Sequence, residues 1–369
     1  MKKVLVTGGY NIGRAGVATI VYRWGQNFDN SVLTCDYLMA KGLPDKKYID
    51  AIESKGGHII APDTPLSLIK KLVWIFNSMI KGQYDLVHIN IDVAYKAMVY
   101  ILLARLAGID KIALHSHCSF IDDDNVYIRG LKTILHYLTR GYCRNSSKIL
   151  LACSKEAAEW MFGKQVVMEN QYIKIFNGLE VEDYRYNEDL RIQYRKQFGI
   201  AQDEIVICNI GRFSYQKNHK FLIDVFEKFH QKNPHSRLIL IGTGNLEKEI
   251  KEYVYLKKLS ERVMFLGRRM DVNQLLSMMD VFVLTSRFEG LPLVLVEAQA
   301  AALPCIVSDK VSKESGIIEY VDFLPLKEPD VWVSHIEKCS KIKRKDVDCS
   351  GLNEYEIRSN AEMLQSILG

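Results

Sequence analysis

Ser286-Arg287-Phe288-Glu289-Gly290-Leu291-Pro292-Leu293-Val294-Leu295-Val296-Glu297-Ala298 reads as a loop opening into a helix. The wholly apolar run Val281–Leu284 precedes it, short enough for a buried strand and too short for a helix. Gly290 and Pro292 shape a tight turn, and proline suits the first turn of the helix expected over Leu293–Ala302. Strand, loop and helix in that order are part of a β-α-β unit. Glu289 therefore stands just past a strand's carboxyl end, the edge at which open α/β sheets bind ligands. The helix start adds free N–H groups and a positive dipole end, which suit an anion. Glu297, eight positions on and inside the helix, can accept hydrogen bonds from two ribose hydroxyls.

The same grammar repeats outward in both directions. Short apolar runs predict strands at Lys3–Thr7, Val32–Cys35, His58–Ile60, Leu86–Asn90, Lys111–His115 and Ile149–Cys153. A second series falls at Ile205–Ile210, Arg237–Ile241, Val263–Phe265, Val281–Leu284 and Cys305–Ser308. Helical patterns such as Gly16–Asn27, Ala94–Ala107, Lys220–Lys232 and Leu246–Leu259 lie between them. Such alternation predicts parallel sheets with helices on both faces. Two series predict two doubly wound domains, with the seam in the charged, tyrosine-rich stretch Asn177–Asp203. The expected divisions are 1–180, 181–350 and a terminal helix over 351–369 that packs back on the first domain.

A chain of 369 residues can bury two such cores. Its net charge of +5 suits an anionic small substrate or an anionic membrane as well as nucleic acid, so charge alone decides nothing. Eight cysteines form no C-x-x-C pair and read as free thiols in a reducing compartment. The apolar run after Met1-Lys2-Lys3 is too short for a signal peptide, and no stretch is long enough to span a bilayer. The expected location is cytoplasmic, at the inner face of the cell membrane if the acceptor is lipid-linked.

Two further loops carry charge or glycine at strand ends. Asn209-Ile210-Gly211-Arg212-Phe213-Ser214-Tyr215-Gln216-Lys217 places Arg212 and Lys217 after the Ile205–Ile210 strand. A guanidinium and an ammonium there can clamp a diphosphate and stabilise charge on a departing one. Gly242-Thr243-Gly244 lets backbone approach a phosphate, but the third glycine of a dinucleotide fingerprint is missing. No G-x-x-x-x-G-K-[ST] is present, which disfavours P-loop phosphoryl transfer.

Taken in order, Gly211-Arg212 with Lys217, Gly242-Thr243-Gly244, Phe265-Leu266-Gly267 and the pair Glu289/Glu297 resemble the carboxyl-terminal domain of retaining glycosyltransferases of family 4, which have the GT-B fold. Asn177-Gly178-Leu179-Glu180 resembles the segment that precedes that domain, with Glu180 in place of the usual aspartate. The resemblance implies two Rossmann-like domains facing across a cleft that holds the active site. It implies that Arg212 and Lys217 bind the diphosphate, Glu289 faces the donor sugar and Glu297 holds the ribose. Gly290, Leu291, Pro292 and Leu293 would shape the donor pocket with Gly211, and Arg268 would lie beside the base. No metal or cofactor is implied; the nucleotide sugar, most simply a UDP-sugar, is a substrate.

The first half is less legible. Gly8-Gly9-Tyr10-Asn11-Ile12-Gly13-Arg14 is a glycine-rich strand-to-helix turn, with Gly9 and Arg14 as candidates to meet the donor. The resemblance matches His115 to a histidine that contacts the donor sugar, with His117 second, and places Ser154 and Asn177 near the donor. Ser154 is also a good N-cap. Asp122-Asp123-Asp124 is expected to be a solvated loop rather than a metal site. Two stretches, Leu66–Lys81 and the helix face bearing Arg129, Lys132, His136, Arg140 and Arg144, can dock on anionic lipid or simply pack on the core with solvated basic sides.

The expected function is transfer of a sugar from a nucleotide diphosphate to a hydroxyl, with retention at the anomeric carbon, in cell-surface polysaccharide or glycolipid synthesis. The acceptor would be a glycan or lipid-linked glycan, and nucleic acid is not an expected partner. A nucleotide-sugar epimerase of the same fold and a non-catalytic subunit of a transferase complex are the rivals.

Overall fold

A computed structural model describes residues 1–8, 12, 16–40, 42–121, 123 and 125–369. The chain divides into two compact units. The first comprises 1–121, 125–179 and 354–369; the second comprises 122–124 and 180–353.

In the first unit the chain runs β1 (Lys2–Thr7), α1 (Gly16–Asn27), β2 (Leu33–Leu38), α2 (Lys46–Ser54), β3 (Ile59–Ile60), α3 (Leu68–Gly82) and β4 (Leu86–Asn90). It continues through α4 (Ala94–Leu106), β5 (Ile112–Ser116), α5 (Val126–Ser146), β6 (Ile149–Ala152), α6 (Lys155–Phe162), α7 (Lys164–Met168) and β7 (Ile173–Lys174). The second unit holds α8 (Glu188–Gln197), β8 (Ile205–Ile210), α9 (His219–Lys232), β9 (Ser236–Ile241), α10 (Glu247–Leu256) and β10 (Val263–Gly267). It then adds α11 (Val272–Leu275), β11 (Val281–Leu284), α12 (Leu293–Ala300), β12 (Cys305–Ser308), β13 (Val321–Leu324) and α13 (Pro329–Cys339). The tail forms α14 (Ile357–Leu368), which packs on α1 of the first unit.

The sheets have orders β3-β2-β1-β4-β5-β6-β7 and β10-β9-β8-β11-β12-β13. Every strand pair is parallel. All eleven expected strands are present, with ends shifted by up to three residues. The two that periodicity missed, β7 and β13, are edge strands whose side chains are mostly half-buried, so neither shows the continuous apolar run of a central strand. Strand order reverses at β1/β4 in the first sheet and at β8/β11 in the second. At such a point neighbouring connections leave on opposite faces of the sheet and open a crevice past the carboxyl ends.

A core of the second unit contains Ile207, Phe226, Leu240, Val283, Ile306 and Trp332, on the face of its sheet that α9 and α13 cover. The eight cysteines are free, six of them buried. Burial pushes the Cys35 and Cys143 thiols up to about 12, which makes both inert as nucleophiles.

Candidate active site

The loops after β8 and β11 spring from the two central strands at the reversal of the second sheet, and they are stitched to each other. The Arg287 N–H donates to the Gln216 carbonyl at 2.7 Å, and Gln216 Nε2 donates to the Phe288 carbonyl at 3.0 Å. Thr285 Oγ1 donates to the Lys217 and Asn218 carbonyls at 3.1 and 3.2 Å. Arg287 Nη2 reaches Asn218 Oδ1 at 2.7 Å, and its guanidinium lies over the Tyr215 ring. Glu289 is pinned on its other side, since Ser312 N–H donates to its carbonyl at 3.1 Å. This backbone framework brings two side chains together: Lys217 Nζ sits 2.6 Å from Glu289 Oε1, and Ser286 Oγ donates to the same oxygen at 2.5 Å.

The Lys217 and Glu289 side chains are only 11% and 10% exposed. An ion pair that little solvated is stiffer than a surface pair and holds its geometry. Gly211 makes room for it: a Cβ there would stand 2.9 Å from Lys217 Cε, so the lysine stem lies across the glycine. Arg212 is exposed on the same loop.

Gly242 and Gly244 lie where no side chain fits. A Cβ on Gly242 would stand 2.0 Å from the Gly211 carbonyl oxygen, and one on Gly244 would stand 2.3 Å from that of Phe213. The two glycines let the loop after β9 lie flat on the loop after β8, sealed by Phe213 N–H to the Thr243 carbonyl at 3.1 Å. They support the Arg/Lys loop from behind.

Pro292 stands one position earlier than expected, as the cap before α12, and its carbonyl accepts from Leu295 N–H at 3.0 Å. Helix α12 ends at Ala300 rather than Ala302. Gly290, Leu291 and Pro292 are buried, and Leu293 opens the helix, whose first N–H groups have no partner within it. Glu297 Oε1 accepts from Tyr184 Oη at 3.0 Å, a partner that sequence reading missed. Tyr184 lies in a short 3-10 helix, 113 positions away in sequence, so spacing carried no signal for it. Arg268 is exposed after β10.

In the first unit, side-chain alternation puts His115 and His117 on one side of β5 and its extension. They form a stack with His88 of β4 and Trp24 of α1. The Trp24–His115 ring centroids are 5.1 Å apart and nearly parallel, and His115–His117 are 4.2 Å apart. His88 Nε2 and His115 Nδ1 are hydrogen-bonded at 3.2 Å. His115 is 0% exposed, and its Nε2 has no hydrogen-bond partner among the described residues. His115 lies inside the stack, and His117 stands at the carboxyl edge.

His117 is held from both sides, Nε2 at 2.9 Å from Asn90 Oδ1 and Nδ1 at 3.0 Å from Asn177 Oδ1. Burial holds its pKa down to about 4, so the ring is neutral and only one nitrogen donates. Asn90 donates its own amide to the Thr7 carbonyl at 3.3 Å, which fixes its oxygen toward His117 Nε2–H. His117 Nδ1 is then an acceptor, and the Asn177 amide must turn its NH2 toward it.

Burial also lowers His88 to about 3 and His115 well below the usual imidazole range, with neighbouring rings adding to both. Asp92, between β4 and α4, goes the other way: burial raises it to about 6, against the His117 backbone N–H that bonds it. Sequence reading missed Asp92, because an aspartate between a strand and a helix looks like an ordinary turn residue.

Two remaining candidates, Ser154 and Asn177, have local structural roles. Ser154 caps α6, with Oγ accepting from Ala157 N–H at 3.1 Å. Asn177 serves His117. Gly178 lets the tail cross: a Cβ would stand 2.9 Å from Ile357 Cα, and Leu179 N–H donates to the Tyr355 carbonyl at 2.9 Å. Gly9 and Arg14 lie outside the described residues, as do Asp122 and Asp124. Among the described residues no group of three or more His, Cys, Asp or Glu is arranged to hold a metal ion, and no helix is long and apolar enough to cross a membrane.

Two doubly wound parallel sheets, with charged loops at the reversal point of the second, define a GT-B protein. The family model "Glycosyl transferases group 1" matches residues 191–349. The putative glycosyltransferase EpsF of Bacillus subtilis is 31% identical over 93% of this chain and 89% of its own length. The Escherichia coli UDP-Gal:alpha-D-GlcNAc-diphosphoundecaprenol alpha-1,3-galactosyltransferase is 26% identical over 65% of this chain and 62% of its own. Among solved structures, Anabaena HepE in complex with UDP and glucose superposes with a TM-score of 0.71 at 18% identity, covering 100% of this chain and 95% of that one. The chain belongs to the group 1 glycosyltransferases and is a glycosyltransferase.

Proposed function

We propose that this enzyme transfers a sugar from a UDP-linked donor to a hydroxyl of a lipid-linked glycan, with retention at the anomeric carbon and without a metal ion. The observation that carries the reading is the Lys217–Glu289 pair, 2.6 Å long and held by two stitched loops at the sheet's reversal point. Lys217 and Arg212 take the diphosphate, and Glu289, which already orients Lys217, faces the donor sugar. Glu297 takes the ribose hydroxyls, steadied by Tyr184, and Arg268 flanks the base. The N–H groups of Leu291 and Leu293 meet donor oxygens; Pro292 has no N–H to offer.

The bond from the anomeric carbon to the phosphate oxygen breaks, and the bond to the acceptor oxygen forms on the same face. The acceptor's proton passes to the departing diphosphate. Negative charge grows on that diphosphate, so two preorganised cations lower the barrier where a metal otherwise would. The first unit takes the acceptor. The printed name of the E. coli relative, a UDP-sugar transferase acting on a diphosphoundecaprenol-linked sugar, supports this choice of donor and acceptor. So does the presence of UDP in the HepE structure. The proposed setting is cell-surface polysaccharide assembly at the cytoplasmic face of the membrane.

A thermal-shift panel of UDP, GDP and ADP compounds without metal tests the donor site, because a ligand bound only to the folded state raises its stability. Stabilisation by UDP, lost in Arg212→Ala, is the expected result. A shift with GDP or ADP alone would replace the donor, and no shift at all on folded protein would overturn the site.

A further inference from the structure

The segment Lys341-Ile342-Lys343-Arg344-Lys345, just after α13, puts four cations into five residues. It lines an open cavity of about 630 Å³ together with Tyr186, Glu188, Arg191 and Asp280. The cavity lies at the amino edge of the second sheet. Asp280 directly precedes β11, and Arg344 donates to the carbonyls of Leu276, Ser277 and Met279 before that strand and of Ala301 after α12. The loops proposed to hold the donor leave the opposite, carboxyl edge.

The wall of this cavity carries more positive charge than its acids answer. Arg191 donates to Asp280 Oδ1 at 2.8 Å, and fully buried Arg195 donates to Asp280 Oδ2 at 2.7 Å. Asp280 also accepts from the Val206 N–H at 2.7 Å, so one carboxylate serves two guanidiniums and a main-chain donor. Glu204, the next acid along the same strand edge, pairs with Arg237 at 3.0 Å. Glu188 accepts from the Tyr186 hydroxyl. Arg344 is only 8% exposed and has main-chain carbonyls and the Tyr186 ring, 4.1 Å away, for company. Burial pushes it down to about 9, which leaves it charged at neutral pH. A charge buried without a counter-ion is unfavourable, and an anion in the cavity offsets that cost. Among the described side chains the lining has five cations and two carboxylates, a net of +3. Lys341, Lys343 and Lys345 are exposed along it.

We propose that this cavity binds a short chain of three or more linked phosphates, free or carried by a nucleotide. The donors still open to a ligand decide the class. The forks of Arg191 and Arg344 already face carbonyls and Asp280, so neither offers a planar, bidentate grip on a carboxylate. The three ammoniums are point charges with rotatable donors on flexible stems, which suit the many oxygens of phosphate. Three of them, in a wall of net positive charge, match one phosphate each, and linked phosphates put that charge into the least volume. A cavity of this size accommodates such a ligand. The main stretch of the second unit runs from Glu180 to Asn353, so the cavity is lined by the segment that enters the unit and the segment that leaves it. A bound anion therefore ties those two segments together. The inference does not rest on the donor reading.

The test is calorimetric titration and melting of the full chain with tripolyphosphate, against citrate at equal ionic strength. Tripolyphosphate should raise the melting temperature and bind at least tenfold more tightly than citrate. Arg212→Ala/Lys217→Ala, which disables the proposed donor site, should bind it as the wild type does. Lys341→Gln/Lys343→Gln/Lys345→Gln should lose at least tenfold in affinity and keep the UDP-induced shift, with an unchanged melting temperature in the absence of ligand because all three side chains are exposed. Lys343→Glu alone should weaken binding in the same direction. In the Arg212→Ala/Lys217→Ala background, ATP binding as tight as that of tripolyphosphate supports a nucleotide source, and weaker ATP binding supports the free anion. No binding, equal binding of citrate, or undiminished binding by the lysine variants overturns the proposal. So does binding that Arg212→Ala/Lys217→Ala abolishes, which would place the phosphates in the donor site instead.

Discussion

The two units place hydrogen-bonded side-chain clusters at equivalent points of their sheets but build them from opposite chemistry. At the second sheet's reversal point the device is charged: Lys217 and Glu289 at 2.6 Å, with Arg212 on the same loop. At the first it is neutral and largely sealed, with His88, His115 and His117 stacked beneath the carboxyl edge and held by Asn90 and Asn177. The charged device keeps its ions ready for a charge that appears only during reaction. The neutral one trades charge for packing, and burial keeps its imidazoles unprotonated. The difference predicts that damage to the second unit shows in rate and damage to the first shows in stability.

Lys217→Ala is the largest expected effect. Loss of one preorganised charge at a growing anion costs about 10²–10³ in turnover, roughly 3–4 kcal/mol of barrier. The melting temperature should stay near that of the wild type, because Ser286 Oγ still serves Glu289. Steady-state kinetics beside a melting curve checks both halves. A variant that unfolds, or that turns over normally, would break the contrast at its stronger end.

His115→Ala should do the reverse. It empties a space between Trp24 and His117 and strands His88 Nε2. Large-to-small changes in a core cost about 2–5 kcal/mol. The protein should melt lower yet keep its UDP-induced shift, since the proposed donor site belongs to the other unit. An unchanged melting temperature with a large loss of rate would mean that His115 acts on substrate after all.

How far each device was legible follows from how it is built. The charged candidates stand in short windows just after two strands, so spacing singled out Arg212, Lys217, Glu289 and Glu297 as candidates. What spacing could not give was Tyr184 or the backbone stitching of the two loops, because those contacts join distant stretches. The neutral site is drawn from α1, β4, the end of β5 and the segment before Gly178. No window of sequence contains it, and a lone histidine in an apolar strand carries no sign of the rings above and below it. The same limit explains α5: a helix with apolar and basic sides reads as core-facing until the fold shows Tyr127, Leu131 and Leu138 turned out and His136 buried.

Acid separates the units again. Burial holds His88 and His219 near 3, and His117 and His136 near 4, with His115 also well below its ordinary value. Unfolding frees each ring to bind a proton below about pH 6.5, so the unfolded chain binds more protons and stability falls as pH drops from there toward the folded values. Each ring withheld from protonation costs roughly 2 kcal/mol at pH 5. Asp92 opposes this, since its pKa is raised to about 6 and its stabilising effect is lost as pH rises through that value. Four of the five rings lie in the first unit, so hydrogen exchange at pH 5 should speed in β4 and β5 before β8 and β11. Equal acceleration in both sheets would remove the distinction between a sealed neutral stack and an open charged pair.

The smallest effect probes the charged unit where it is least charged. Glu297→Gln keeps a side-chain oxygen for Tyr184 Oη and removes only the negative charge. Hydrogen bonds to a charged acceptor exceed neutral ones by about 1 kcal/mol, so donor affinity should fall roughly fivefold with turnover nearly unchanged. Tyr184→Phe should weaken the donor by less, because it frees the carboxylate without discharging it. Calorimetric titration with UDP reads both. If Tyr184→Phe were the more damaging, the hydroxyl rather than the carboxylate would be the ligand's partner, and the second unit would also owe its affinity to a neutral group.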